Sequence, residues 1–273
     1  MGEQLSETAA LESVLDGMER VAVAVSGGVD SLTLATFAHR MLPARVTMFH
    51  AVSPAVPDEG TQRTREVAAR EGWTLQVIDA GEFDDANYRA NPVNRCFYCK
   101  SNLYGAIRPR TRAQIVSGTN LDDLGEYRPG LIAAREHAVR HPFVEAAMSK
   151  AKVRALAREL GLGDLADLPA SPCLSSRVET GIAIDPRVLA AIHATERMLV
   201  ERLAPGTVRC RVRGEAIVIE LDGRALESLD DAARRALAER VQSIFADARA
   251  GVPVRFEPYR TGSAFLHFKT LDR

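Results

Sequence analysis

The sequence predicts an α/β protein: a doubly wound, mostly parallel sheet followed by a smaller C-terminal α+β domain. Three observations lead there. Short β-branched runs without polar alternation, VAVAV (21–25) first among them, alternate with helical stretches, as strands covered by helices on both faces do. A pair of glycines stands at the turn from the first strand into the next helix. After about residue 180 the rhythm changes to helix, strand, strand, helix, strand.

Taken in order, residues 6–19 read as a helix capped by Ser6, with Leu11, Val14, Leu15 and Met18 on one face. After VAVAV comes helical LTLATFAHRML (32–42), then strand RVTMFHAVS (45–53) and helix TQRTREVAAREG (61–72), which ends on Gly72. TLQVIDA (74–80) and AQIVSGT (113–119) are the third and fourth strands, and KAKVRALARELG (150–161) is a helix. PRVLAAIHATERMLVERL (186–203) opens the second rhythm. TVRCRVRG and AIVIEL pair as a hairpin, LDDAARRALAERVQSIF (229–245) is helical, and VPVRFEP (252–258) closes as a strand. The boundary falls near 175–185, which gives domains 1–180 and 181–273.

With 273 residues, the chain buries roughly 75% of its unfolded surface and needs no disulfide or metal to hold a core. Net charge is −1, so no global basic field advertises nucleic acid as a partner. The acidic, amphipathic start lacks the basic and apolar regions of a signal peptide, and no apolar run reaches spanning length. Four cysteines are too few for a secreted disulfide scaffold. A cytoplasmic protein without a membrane partner is expected, assembled as a homo-oligomer.

SGGVDS, Ser26 to Ser31, follows the first strand directly. Glycines there let backbone amides converge with no side chain in the way, and the positive end of the following helix favours phosphate. It is neither GxxxxGK[ST] nor GxGxxG. A plain helix cap is the bland alternative. SGGVDS resembles the PP-loop of the ATP pyrophosphatases, whose fold is called adenine nucleotide alpha hydrolase-like and which cleave ATP between its α and β phosphates to adenylate a substrate. The resemblance implies that Ser26, Gly27, Gly28, Asp30 and Ser31 cradle pyrophosphate, with Asp30 helping to hold Mg²⁺.

Three further stretches narrow the resemblance: NPVNRCFYCKSNLY (91–104), GTNLDDLGEYRPG (118–130) and SPCLSSRVETG (171–181). With the loop, and in the same order, they resemble the LarE-type ATP-dependent sulfur transferases. Those enzymes act on pyridinium-3,5-biscarboxylic acid mononucleotide in nickel-pincer cofactor synthesis, so a small pyridinium mononucleotide and sulfide or another sulfur donor become the expected partners. GTNLDDLGEYRPG follows the fourth strand, where ligands gather at the carboxyl ends of an open sheet. Asp122 and Asp123 there suit Mg²⁺, and Arg128 suits a phosphate or carboxylate; an Asx turn with a solvated arginine is the alternative. His50, at the end of the second strand, either lines the adenine pocket or caps the strand. His39, His137, His141, His193 and His267 show no metal-ligand spacing.

In SPCLSSR the resemblance makes Cys173 the sulfur-bearing, catalytic cysteine, with Arg177 beside it among the cofactor-binding residues; a buried inert cysteine is the alternative. In TVRCRVRG, strand parity puts Val208, Cys210 and Val212 on one face and Arg209, Arg211 and Arg213 on the other. Cys210 then reads as core. The resemblance assigns the substrate phosphate to Arg209 and Arg211 with Glu220 in place, whereas Val218 stands where the family has arginine; a solvated basic strand is the alternative.

Parity removes Cys210 from a four-sulfur zinc reading and leaves Cys96, Cys99 and Cys173. Three thiolates can hold a 4Fe–4S cluster with one iron open to an outside ligand. Relatives with all three cysteines resemble cluster enzymes that carry sulfide, and those without the CxxC sacrifice one cysteine. This chain has all three, so ATP, Mg²⁺ and a 4Fe–4S cluster are the expected cofactors. Sacrificial transfer from Cys173 is the main alternative. A thioredoxin-type pair is disfavoured, because CFYC is not expected to open the helix of a thioredoxin-like unit. An amide-forming ligase, a tRNA-thiolating enzyme and a nucleotide sensor with a zinc clip are the other readings of the loop.

Overall fold

In the computed structural model, residues 7–125, 128–169 and 171–264 are described; the expected cap Ser6 and His267 lie outside the described residues. Two units emerge, one from the chain up to Asp84 with Cys96–Ser171, the other from Asp85–Arg95 with the chain from Pro172 onward.

The first unit is an α/β layer structure. Its strands are β1 (Val21–Ala24), β2 (Val46–Ala51), β3 (Leu75–Ile78) and β4 (Gln114–Ser117). They pair in the order β3-β2-β1-β4, and every pairing is parallel. Alternate residues of β1 feed two cores. Val21 and Val23 join Val46, Met48 and Val116 under α1 (Glu7–Asp16), α2 (Val29–Met41) and part of α3 (Asp58–Glu71). Ala22 and Ala24 join Phe49 and Ile115 on the opposite face, where α5 (Arg95–Ile107) brings Tyr104 and Ile107. Covering both faces removes any need for polar alternation, which is why VAVAV reads as it does. Leu11 and Leu15 of α1 are fully buried, and each stabilises the fold by about 1.5–3 kcal/mol. α3 stops at Gly72, whose φ of 71° supplies the left-handed cap.

Apart from α5, which was not expected, the strands and long helices stand within a few residues of where the sequence places them. Four short helices were not expected: α4 (Ala86–Arg89), α6 (Pro129–Glu136), α7 (Pro142–Glu145) and α10 (Gly223–Glu227). After α7, α8 (Lys150–Glu159) is capped by Ser149, whose hydroxyl accepts from the Lys152 amide.

The second unit holds α9 (Pro186–Leu203), β5 (Val208–Val212), β6 (Ile217–Leu221), α11 (Asp231–Ile244) and β7 (Val254–Pro258), with α4 and α10. Asp185, Asp222 and Asp230 cap α9, α10 and α11 through their carboxylates. β5 and β6 form the expected antiparallel hairpin, and β7 adds to β6 in parallel. β6 is buried along its whole length, so its one acidic residue, Glu220, lies inside.

Candidate active site

The order β3-β2-β1-β4 reverses direction at β1, and the crevice between the carboxyl ends of β1 and β4 is where open parallel sheets bind ligands. SGGVDS leaves β1 at that point. Gly27 takes φ 81°, and a Cβ there would lie 2.4 Å from the Gly60 carbonyl oxygen, so this turn admits only glycine. Ser31, 6% exposed, closes the turn. Its hydroxyl accepts from the Ser26 amide at 3.0 Å and donates to the Gly28 carbonyl at 3.0 Å. With that proton used, the Ser26 hydroxyl is the donor across the 3.1 Å Ser26–Ser31 contact. Gly28 then caps α2, and among the described residues no side chain accepts from the amides of its first turn. From the β4 side, Gly118 presses against the same turn: a Cβ on it would sit 2.8 Å from the Ser31 amide nitrogen.

Asp30 lies in the first turn of α2, where a carboxylate opposes the helix dipole favourably. Lys150 Nζ donates to its Oδ2 at 2.5 Å and Asn120 Nδ2 to its Oδ1 at 3.4 Å. Asp122 accepts from the Lys150 amide at 2.8 Å. Asp123 accepts from the Asn120 amide at 3.1 Å and pairs with Arg128 at 2.8 Å. The loop and the acidic stretch, far apart in sequence, are therefore one charged network. Carboxylate oxygens such as these are the donor type that Mg²⁺ prefers.

His50 is the penultimate residue of β2 and is fully buried. Nδ1 meets the Val25 carbonyl at 2.9 Å and Nε2 the Thr61 hydroxyl at 2.9 Å. A carbonyl only accepts, so Nδ1 carries the proton and Nε2 accepts. Burial holds the imidazole below its usual pKa, against the Val25 carbonyl and helped by Arg65. The two nitrogens tie β2 to the end of β1 and to α3. Arg63 continues the brace, donating to the Gly27 carbonyl at 2.6 Å.

CFYC occupies the first turn of α5, so the motif does open a helix, on the passage from β3 to β4 that also contains α4. Cys96 is exposed and Cys99 half-buried; all four cysteines are thiols. Three residues apart on a helix, the two share a face. A Cβ on Gly130 would come within 3.2 Å of Lys100 and 3.7 Å of the Cys96 carbonyl oxygen, which joins CFYCK to the RPG end of the acidic stretch. Among the described residues, no three His, Cys, Asp or Glu side chains are gathered as a metal-binding group.

In the second unit, Cys173 caps a 3₁₀ turn, Leu174–Arg177, and is half-buried. Arg177, 4% exposed, faces protein. Its Nε and Nη2 donate to Glu196 at 3.0 Å each, and its Nη1 to the carbonyls of Pro172 and Cys173. Arg211 is equally buried: Nε donates to Glu220 at 3.0 Å and Nη1 to the Ser176 carbonyl at 3.1 Å. Arg213 reaches Glu220 at 3.0 Å as well. The solvated-strand alternative is thereby overturned, because Glu220, on the neighbouring strand, collects these guanidinium groups inside the fold. Arg209 is half-buried over the Tyr259 ring at 5.9 Å. Burial first, and Arg177 second, push its pKa down. Cys210 is fully buried, as parity required, and burial pushes its thiol pKa well up, which makes it inert.

Sequence reading missed Lys150, Arg63 and Glu196. Lys150 did leave a signal: Lys150 and Lys152 stand in the first turn of α8, where no acidic residue does, against the helix dipole. A cation kept there implies an anion nearby. Arg63 and Glu196 sit among ordinary charged helix positions and leave no such mark.

No family model matches the chain. It is 34% identical over 250 residues to an uncharacterised protein of Synechocystis, covering 90% of this chain and 91% of the relative. It is 26% identical over 208 residues to an uncharacterised protein of Methanocaldococcus jannaschii, covering 75% and 78%. With the pyridinium-3,5-bisthiocarboxylic acid mononucleotide synthase of Lactiplantibacillus plantarum it shares 31% identity over 226 residues, 81% of each chain. At that identity and coverage, the chain belongs to the LarE-type family of pyridinium-3,5-bisthiocarboxylic acid mononucleotide synthases.

Proposed function

We propose that the chain is an ATP-dependent sulfur transferase of the PP-loop kind. It adenylates a carboxylate of pyridinium-3,5-biscarboxylic acid mononucleotide and converts it to a thiocarboxylate, as a step of nickel-pincer cofactor synthesis. The observation that carries the reading is the side-chain-free turn at Gly27, placed at the crevice between β1 and β4 with Asp30 and Lys150 beside it.

The α2 amides and the Ser26 hydroxyl receive the β and γ phosphates, and Lys150 turns from Asp30 to them. Asp30, Asp122 and Asp123 would hold Mg²⁺, which supplies charge neutralisation. A substrate carboxylate oxygen attacks the α-phosphorus, and the bond from that phosphorus to the bridging oxygen breaks to release pyrophosphate. The residues contribute positioning and fixed charge to this step. Sulfur then adds to the acyl carbon, the bond to the AMP oxygen breaks, and AMP leaves.

Cys96, Cys99 and Cys173 are thiols of the kind that bind iron and would hold a 4Fe–4S cluster, which would supply sulfide. A second reading needs Cys173 alone, a half-buried thiol of the second unit. In it, the Cys173 thiolate attacks the acyl-adenylate, and its Cβ–S bond then breaks by loss of the α-proton. That leaves thiocarboxylate on the product and dehydroalanine in the chain.

The test is pyrophosphate release and thiocarboxylate formation from ATP, Mg²⁺, sulfide and pyridinium-3,5-biscarboxylic acid mononucleotide. Release of both products supports the proposal. Amide formation from ammonia, or no acid-dependent pyrophosphate release, contradicts it.

A further inference from the structure

The Cys173 turn is held more firmly than an exposed connection requires. Arg177 commits Nε to Glu196, and its Nη1 faces three acceptors: the carbonyls of Pro172 and Cys173, and the Ser176 hydroxyl at 3.1 Å. Glu196 in turn accepts from the Cys210 amide at 2.9 Å, which ties the clamp to β5. From the other side, Arg211 reaches the Ser176 carbonyl while bound to Glu220, only 1% exposed. The Tyr88 hydroxyl meets the Ser175 hydroxyl at 2.7 Å, and Asn91 Nδ2 donates to the Glu179 carbonyl at 2.9 Å. Within the turn, the Ser176 amide donates to the Cys173 carbonyl at 3.0 Å. Backbone is thus fixed on both sides of Cys173 by two arginine–carboxylate pairs taken out of water.

We infer that Arg177 and Glu196 are positioning residues for Cys173: they fix the turn that presents its sulfur rather than binding phosphate. The inference rests on the reading of Cys173 as a residue of sulfur transfer. A planar guanidinium with its in-plane donors directed at protein acceptors has little left for a ligand, while the fork geometry sets the turn's orientation. Buried ion pairs are not held for stability alone, since an apolar pair of the same volume often serves as well. Here the pair joins the cysteine's own carbonyl to the strand that bears Arg209 and Arg211.

Glu196→Gln and Arg177→Lys test this in the full chain, with pyrophosphate and thiocarboxylate measured together. Adenylation uses the other unit's turn, so pyrophosphate release by Glu196→Gln is expected within about twofold of wild type. Thiocarboxylate per pyrophosphate is expected to fall by about tenfold or more, the scale of a misplaced reacting group. Equal loss of both products, or no change in their ratio, overturns the inference. Cys173→Ala separates the premise: undiminished thiocarboxylate from it overturns the role of Cys173 and the clamp with it. If neither clamp variant folds, hydrogen exchange on the wild-type protein decides. Slow exchange at Ser176 and Val178 supports a fixed turn, and exchange at the rate of an open loop overturns it.

Discussion

Asp30 meets an ammonium from Lys150 and an amide from Asn120 at the mouth of the sheet; in the proposed function Lys150 turns to phosphate and Asp30 to Mg²⁺. Asp30→Asn is expected to lower acid-dependent pyrophosphate release by about 100-fold or more, and Lys150→Ala by about tenfold, the range for removing one charged contact to a developing anion. Circular dichroism unchanged from wild type, with release unchanged too, would remove both residues from the site. His50 gives a pH signature. Its pKa is below the ordinary 6.5 in the fold, so the unfolded chain binds the proton more readily. The neutral imidazole's contribution is complete above 6.5 and is lost as pH falls below it toward the folded value. Urea midpoints are expected to drop between about pH 7.5 and about pH 5.5, and to drop less in His50→Gln; an equal drop in both proteins excludes His50 as the cause. Residue identities were only partly legible. Parity placed Cys210 correctly in the core, but it could not show that the opposite face was buried too, because that depends on Glu220 and the 3₁₀ turn lying over Arg211.

Elements make the residues' geometry possible, and here the turn after β1 depends on two glycines from distant stretches. Gly27→Ala and Gly118→Ala each drive a methyl group into backbone. Gly27→Ala is expected to cost at least about 1–3 kcal/mol through strain alone and to abolish pyrophosphate release. Gly72→Ala shares a positive φ but opens on free space; it is expected to cost about 1–2 kcal/mol and leave turnover intact. Thermal melts with parallel release assays check the contrast, and equal effects at Gly27 and Gly72 would contradict it. Apart from α5, the long elements were readable because burial on both faces of the sheet leaves continuous apolar runs, and Asp or Ser caps mark α8, α9 and α11. The short helices α4, α6, α7 and α10 complete one or two turns, too few for a 3.6-residue period to show. Their boundaries come from Pro129 and Pro142 at first helical positions and from packing.

At the scale of the whole molecule, the two units divide the proposed chemistry: phosphate and Mg²⁺ at the crevice of the parallel sheet, sulfur at the clamped turn beside the three-stranded sheet. A cluster bound to the native protein would stabilise it by mass action. Chelation of iron from reconstituted protein is then expected to lower the melting temperature of wild type but not of Cys96→Ala; identical shifts would contradict a three-cysteine site. The grouping of residues 85–95, immediately before CFYC, with the later part of the chain was not visible in the order of motifs, because it rests on contacts such as Tyr88 with Ser175.

The most direct test is the intact mass of protein reconstituted anaerobically with iron and sulfide, taken after turnover with ATP, Mg²⁺, sulfide and pyridinium-3,5-biscarboxylic acid mononucleotide. The account expects several thiocarboxylates per chain with the mass unchanged, and loss of turnover in Cys96→Ala, Cys99→Ala and Cys173→Ala. One thiocarboxylate per chain, with the elements of hydrogen sulfide missing at Cys173, would contradict the cluster and leave the sacrificial route.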